Sequence, residues 1–310
     1  MTNLNFSEKN KPEVFYLIGP SYSGKSTWAN EKKGELNAEI VSSDAIRADL
    51  WGDESNQREP NKVFKEVFKQ VKELLLKGQS VIVDSTGLTV KNRLKFLNFI
   101  KDIDCRKVAV CFFEPFEELM RRQNERKQVV PESVIRKQLL TFQMPCDGEG
   151  WDDIWRVSWK ASITGLFVLE DIIFKAKALS HDNPYHKETI GDHCLSARDY
   201  ALDNFEEDFL VPDCAYFHDI GKPFAKVFKN AKGEPSEVAH FYGHECYGAY
   251  LIGLYYPNNW WNTIANVVQW HMAPHIYGEK KLKQLEKRLG PELWDLVIKV
   301  CECDKAATIR

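Results

Sequence analysis

The chain has 310 residues, 44% hydrophobic and 28% charged, with a formal net charge of −3. That length accommodates two domains with ordinary cores, and the near balance of charge excludes a global attraction to nucleic acid, so such a partner is held by a local patch. No apolar run reaches the ~18–20 residues of a membrane span, and no basic-then-apolar leader, repeat or low-complexity tract occurs, so neither membrane association nor secretion is expected.

The apolar run VFYLI, residues 14–18, predicts a strand, and WANEKKG, residues 28–34, predicts a helix closed by Gly34. Between them GPSYSGKST, residues 19–27, matches the spacing G-x-x-x-x-G-K-[ST]. In a strand, turn and helix context the backbone N–H groups of such a loop and of the helix N-terminus point at one anionic spot. Gly19 and Gly24 permit the tight path through Pro20, Ser21, Tyr22 and Ser23. Lys25 supplies a point charge to the β- and γ-phosphates, and the hydroxyl of Ser26, ahead of Thr27, suits Mg²⁺. The implied cofactor is ATP, or another nucleoside triphosphate, with Mg²⁺.

The rhythm of strand and helix continues through AEIVSSD (38–44), VFKEVFKQVKELLLKG (63–78), SVIVDST (80–86), a helix from about Val90, and KVAVCFF (107–113). In the long helix Val63, Phe64, Val67, Phe68, Val71, Leu74 and Leu75 form one apolar stripe that Gly78 stops. Apolar strands alternating with amphipathic helices predict a mainly parallel sheet covered on both faces. Asp44 falls at the carboxyl end of the second strand, where the ligand crevice of an open α/β sheet lies. There it can take a proton from an attacking hydroxyl; it also reads as a helix N-cap. Arg47, one turn later, suits a phosphate on the acceptor, or else a solvated helix face. Asp84 ends the third strand near Mg²⁺ or the acceptor, although an Asp closing a strand is common without any function. Arg122 and Arg126, four residues apart ahead of Val129-Val130-Pro131, suit one face of a lid over transferring phosphates. A charged exposed face has the same pattern.

MPCDGEGWDD, residues 144–153, breaks this rhythm, and after Ile163 the pattern is helical with no convincing strands. The boundary is placed near Ser162, giving an α/β domain over residues 1–162 and an all-α domain with its own core over 163–310. All eight histidines lie between His181 and His275. His218 and Asp219 put an imidazole and a carboxylate side by side, a pair able to hold one divalent cation. His193 precedes them and His244, His271 and Asp304 follow. Lys222 reads either as a phosphate contact beside the cations or as a helix C-terminal cation. His240 and His275 suit the pocket rim, and His181 and His186 read as core or surface residues. None of the eight cysteines has C-x-x-C spacing, and Cys301 and Cys303 read as neighbours on a helix. Free thiols in a reducing, cytoplasmic setting are expected.

GKSTWA, SSDAIRADLWGD, VIVDSTGL and RQNERKQVVPESVI together resemble the kinase domain of phage and bacterial polynucleotide 5′-hydroxyl kinases, across roughly residues 12–160. The resemblance implies that Asp44 activates the 5′-OH, that Arg47 holds a phosphate of the acceptor strand, and that a lid arginine steadies the γ-phosphate. Arg126 is the better match by its distance from Val-Pro, with Arg122 the alternative. The series His193, His218-Asp219, His244, His271 and Asp304 is similar to the HD phosphohydrolase superfamily, a helical bundle with one metal, or two in its binuclear members. The resemblance implies one or two divalent cations there, from among Mn²⁺, Mg²⁺, Ni²⁺, Co²⁺ and Fe²⁺, without choosing between them. Together the two halves resemble bifunctional end-healing enzymes of RNA repair. Such a protein phosphorylates 5′-OH ends of RNA or DNA, removes 2′,3′-cyclic and 3′-phosphate ends, and hands the strand to a nucleic-acid ligase. The best-known phage kinase carries an aspartate-nucleophile phosphatase in place of the HD unit. The rival readings are a small-molecule kinase joined to a nucleotide hydrolase, and a nucleotide-sensing module without turnover.

Overall fold

The computed structural model describes residues 11–54, 58–125, 129–158 and 160–309. Five strands form one parallel sheet: β1 (Glu13–Ile18), β2 (Ala38–Ser42), β3 (Ser80–Asp84), β4 (Arg106–Phe112) and β5 (Asp153–Val157), in the order β2-β3-β1-β4-β5. Between them run α1 (Lys25–Lys32), α2 (Ser43–Trp51), α3 (Pro60–Leu76), α4 (Val90–Phe99), α5 (Phe116–Asn124) and α6 (Glu132–Leu139). The central strand explains the layering. Val14, Tyr16 and Ile18 enter one apolar cluster, while Phe15 and Leu17 enter another with Ala29, Ile82, Val110 and Phe112. Successive side chains of a strand point to opposite faces, so a continuous apolar run is buried on both. The stripe of α3 buries Val63, Val67, Val71 and Leu75, a four-residue repeat on one face. The sheet half is therefore the parallel α/β structure that the strand and helix pattern predicts. Strand β5 was not foreseen: DIWRV is only half-buried at every position, so it lacks the apolar run that marks the inner strands.

The remainder contains α7 (Ile163–Ala176), α8 (Ile190–Asn204), α9 (Val211–Phe217), α10 (Lys222–Ala225), α11 (His244–Tyr255), α12 (Trp261–Trp270), α13 (Ala273–Ile276), α14 (Glu279–Leu289) and α15 (Pro291–Ile309). It is not all helical. Strands β6 (Val227–Lys229) and β7 (Pro235–His240) form an antiparallel hairpin. The expectation of no strand fails here because the two strands are short and largely exposed, so their apolar residues mark no buried face. Lys222 is no helix C-terminal cation either: with Pro223 it opens the short helix α10. Among the described residues, no helix is long and apolar enough to cross a membrane.

A separate core for the helical half is likewise not what forms. Apart from the cluster on the Phe15 face of the sheet, the buried apolar residues of both halves make one contiguous cluster from Val14 to Ala307. At the junction Phe113 meets Phe142, Tyr250 and Trp261 with ring centroids 5.6, 5.3 and 5.8 Å apart, in the tilted and edge-on arrangements aromatic pairs favour. The Tyr250 hydroxyl accepts from Glu114 N and donates to Glu114 O, both at 2.9 Å. Asn262 and Asn266 donate to Pro145 O, Ser158 Oγ donates to Leu254 O, and Arg156 donates to Tyr256 O.

The turn before β5 carries the most buried charge of the sheet half. Arg93 and Glu149 are wholly enclosed, and all five guanidinium N–H groups are used. They go to both Glu149 oxygens at 2.7 Å, to Gly87 O at 3.1 Å, to Gln143 O at 2.8 Å and to Met144 O at 3.3 Å. Arg93→Met would strand the Glu149 carboxylate in the interior, a loss of about 3–5 kcal/mol. Urea denaturation should show that loss, and adding Glu149→Leu should recover most of it; a single variant as stable as the parent would mean that the pair does not hold the turn.

Candidate functional site

All five strands run parallel, so their carboxyl ends share one edge, and the phosphate-loop candidates collect there. Gly24 adopts φ +92°, a left-handed conformation that a side chain disfavours, and caps α1. Lys25 begins that helix and folds its buried Nζ back to Gly19 O at 3.0 Å, Pro20 O at 2.6 Å and Ser23 Oγ at 3.4 Å. Ser26 and Thr27 are exposed on the first turn. Gly19 N donates to Thr86 O at 3.0 Å, which ties the loop to the segment after β3. Asp84 ends β3 opposite Ser42, the last residue of β2.

Ser42, not Asp44, is the N-cap of α2: its hydroxyl accepts from Asp44 N and Ala45 N. That leaves the Asp44 carboxylate pointing outward, 65% exposed, where it pairs with the buried guanidinium of Arg47. Arg47 is thus no solvated helix face: its side chain is buried and its guanidinium pairs with Asp44.

Arg122 lies directly against the loop. Its Nη1 donates to Tyr22 O at 3.2 Å, Nη2 to Glu114 at 2.8 Å and Nε to Glu118 at 2.7 Å. Burial alone would lower its pKa, but the two carboxylates outweigh burial and raise it, while hydrogen bonds from Arg121 and Arg122 hold Glu118 down to about 2. The guanidinium is therefore fixed in the charged form. Arg126 lies outside the described residues. A cavity of about 530 Å³ opens beside Arg122, lined by Glu114, Glu117, Glu118, Arg121 and Lys160.

Three contacts here were not read from the sequence. Ser21 N donates to Gln138 Oε1 at 2.8 Å, Gln138 Nε2 donates to Ser21 Oγ at 3.0 Å, and Val130 N donates to the Tyr22 hydroxyl at 2.9 Å. They pin the segment leading into α6 and the helix's far end to the phosphate loop. A glutamine on a helix face has no local signature of such a role; Glu114 had one, an acid just beyond the end of β4.

The second cluster brings together six residues from five places in the fold. α8 carries His193, the turn after α9 carries His218 and Asp219, and α11 begins with His244. His271 follows α12, and α15 carries Asp304. His193 Nε2 lies 3.0 Å from Asp304 Oδ1, 3.2 Å from His218 Nε2 and 3.6 Å from Asp219 Oδ2. On the other side, Asp219 Oδ1 lies 3.2 Å from His244 Nε2 and 3.7 Å from His271 Nε2, and those two nitrogens are 3.4 Å apart. Asp219 thus divides its two oxygens between two groups of imidazoles. His218, His244 and His271 each direct Nδ1 to the peptide oxygen three residues back, at 2.7, 2.8 and 2.6 Å. A carbonyl only accepts, so Nδ1 carries the proton and each Nε2 presents its lone pair to the centre.

This donor set fits divalent cations. Both Asp219 oxygens are buried and neither accepts a well-directed hydrogen bond, although Oδ2 pairs with Lys222 Nζ at 2.5 Å. Ligand atoms of His193, His218 and Asp219, and of Asp219, His244 and His271, lie within 4.8 Å of one another in each set. Burial disfavours a charged His218, but Asp219 and Asp304 outweigh burial and bring it up to about 10. Burial would raise the Asp219 and Asp304 carboxyls, yet the adjacent imidazoles, with Lys222 beside Asp219, hold both well below the usual range. His271 is pushed below the ordinary imidazole value, first by burial and then by His218 and His244. A divalent cation bound here would offset the two carboxylates in place of a proton.

Of the remaining candidates, His275 Nε2 lies 3.5 Å from Asp304 and 3.3 Å from Cys301 Sγ, beside the cluster. His240 does not join it: it pairs with Ser236 Oγ at 3.2 Å and stacks on Tyr242 in the hairpin. All eight cysteines are free and buried.

Residues 14–145 match a family model described as an AAA domain. The sheet half, a parallel α/β domain with a phosphate-loop sequence, is similar to kinases. It is similar to L-seryl-tRNA(Sec) kinase of Methanococcus maripaludis, 30% identical over 148 residues, covering 45% of this chain and 56% of that protein. It is also similar to the bifunctional polynucleotide phosphatase/kinase of Schizosaccharomyces pombe, 24% identical over 162 residues, covering 50% of this chain and 36% of that one. Among solved structures, a chain of the Pnkp1/Rnl/Hen1 RNA repair complex aligns at 24% identity and a TM-score of 0.39, covering 44% of this chain and 45% of that chain. The chain thus spans about half or less of the length of these relatives.

A cation that binds the folded cluster alone stabilises by mass action, about 2.7 kcal/mol at a hundredfold excess over Kd, or about 5 °C in Tm. Chelator-stripped protein should gain that on adding Mn²⁺ or Co²⁺, and Asp219→Asn should not. Equal gains in thermal melts of both proteins would remove the cluster as the binding site.

Proposed function

We propose that this chain heals nucleic-acid ends, RNA above all, at two sites. The sheet half transfers the γ-phosphate of ATP to a 5′-OH, and the helical half is an HD-type phosphohydrolase that opens 2′,3′-cyclic phosphates and removes 3′-phosphates. The reading is supported by the presence in one chain of a phosphate loop with Lys25 folded onto it and of a His/Asp cluster whose donor atoms suit divalent cations. Similarity to a polynucleotide phosphatase/kinase, and to a kinase whose name gives a tRNA-borne substrate, supports a nucleic-acid acceptor.

In the kinase site Lys25, now on the loop carbonyls, would hold the β- and γ-phosphates, and Ser26 would hold Mg²⁺. Asp44 accepts the proton of the 5′-OH, and its pairing with Arg47 keeps both groups at the acceptor side. Arg47 then holds an acceptor phosphate, with Asp84 alongside. Arg122, already charged and against Tyr22, faces the γ-phosphate; Arg126 is the second candidate for that role. In the helical half His193, His218, Asp219, His244, His271 and Asp304 would hold one or two divalent cations, which supply an activated water and neutralise phosphoryl charge. Lys222, buried beside Asp219, adds a positive charge for the phosphate. A nucleic-acid ligase is the partner that this pair of products serves.

The test is an oligonucleotide bearing 5′-OH and 2′,3′-cyclic phosphate ends, incubated with ATP and Mg²⁺ or Mn²⁺, with both termini read by mass. Lys25→Ala and Asp44→Ala should each lower 5′ phosphorylation by about 10² or more and spare the 3′ reaction. Asp219→Ala should abolish the 3′ reaction and spare the kinase. Arg47→Ala should chiefly raise KM for the oligonucleotide, with KM for ATP near normal. ATP turnover driven by a metabolite, with neither terminus altered, would sink the reading in favour of a small-molecule kinase.

A further inference from the structure

The connection between α7 and α8 carries two histidines that no motif claims. Asn183 Oδ1 accepts from Tyr185 N at 3.0 Å and from His186 N at 3.2 Å, so the atom facing that turn is the oxygen. His186 Nδ1 lies 3.1 Å from the same oxygen. An oxygen already engaged by two N–H groups accepts, so Nδ1 carries the ring proton and Nε2 is left with its lone pair. This repeats the arrangement of His218, His244 and His271, each of which uses Nδ1 on an acceptor three residues back. A ligand atom of His186 lies within 4.8 Å of those of His193 and Asp304. The His186 ring stacks on His181 at 4.0 Å and 12°, and stands edge-on to His193 at 5.1 Å. His181 is itself fully buried, with Nδ1 directed to Glu188 O at 3.0 Å.

We propose that His186 is a seventh ligand side chain of the cluster, closing on a divalent cation together with His193 and Asp304, and that His181 holds its ring in place by stacking. Two imidazoles and one carboxylate favour a first-row transition cation such as Fe²⁺, Mn²⁺, Co²⁺ or Ni²⁺ over Mg²⁺, which prefers oxygen. The ligand is delivered by a turn rather than by a helix of the bundle. Its position is therefore set by the Asn183 turn and the imidazole stack.

This inference rests on reading the helical half as a metal site, and the experiment separates the two. The full chain, stripped with chelator, is titrated with Co²⁺ and followed by visible absorption and calorimetry. Wild type should bind Co²⁺; His186→Ala should bind at least one equivalent about 10–100-fold more weakly, with an altered ligand-field spectrum. His186→Glu, which restores a donor without an imidazole, should regain most of the affinity, a rescue that a purely structural histidine would not show. His181→Phe keeps the stacked ring and should bind as wild type does, whereas His181→Ala should weaken binding. Unfolding curves in chelator check that each variant folds. Unchanged Co²⁺ affinity and spectrum in His186→Ala would overturn the assignment of His186 alone. Absence of Co²⁺ binding by wild type would overturn the metal reading with it, and loss of binding in His181→Phe would overturn the stacking role of His181.

Discussion

Burying a guanidinium and a carboxylate together removes both from water, a cost of several kcal/mol per ion that only saturated hydrogen bonding offsets. Arg93 and Glu149 meet that condition, and the places they connect explain how the molecule is joined. The three carbonyls that Arg93 bonds belong to the loop after β3 and to the segment leaving α6, and Glu149 belongs to the turn before β5. Next to Glu149, a Cβ on Gly148 would stand 1.6 Å from Arg288 O, so only glycine lets that turn pack against the end of α14. One ion pair therefore fixes the loop after β3, the exit of α6 and the docking of the helical half.

Helix α11 is where the two sites come nearest in the covalent sense. Its first residue, His244, belongs to the histidine cluster, and the residue before it, Gly243, has φ +78° with Leu140 O only 2.2 Å from where a Cβ would stand. Leu140 caps α6, whose Gln138 holds the phosphate loop through Ser21. Two turns along α11, Tyr250 grips the backbone of Glu114, whose carboxylate holds Arg122 against Tyr22. The groups expected to handle γ-phosphate and those expected to handle metal thus hang on one helix, and a shared aromatic seam excludes water between the halves.

Electrostatics divides labour within this frame. At the sheet edge, exposed or half-buried pairs such as Asp44 with Arg47 and Glu118 with Arg122 keep groups charged and aimed, at modest net energy because water screens them. In the helical half the same charges are enclosed. There an unpaired carboxylate is costly, and Asp219 is stabilised only by a ring of imidazoles and one lysine whose arrangement also suits a cation.

The phosphate loop was legible because its requirements are local: two glycines, a lysine and a hydroxyl at set spacing between a strand and a helix. The covered strands and the stripe of α3 were legible by periodicity, and the order of His193, His218-Asp219, His244, His271 and Asp304 by residue type. Strand β5 and the hairpin escaped because neither has a buried face whose period is written in the residues. The merging of two expected cores into one, the pinning of Ser21 by Gln138, the capture of Arg93 by Glu149 and the approach of His186 to Asp304 join residues 56 to more than 110 positions apart. A sequence determines local geometry and which chemistry is on offer, because those depend on neighbours along the chain; which distant groups meet, and in what state of protonation, is decided by packing, because burial and partners exist only once the chain is folded.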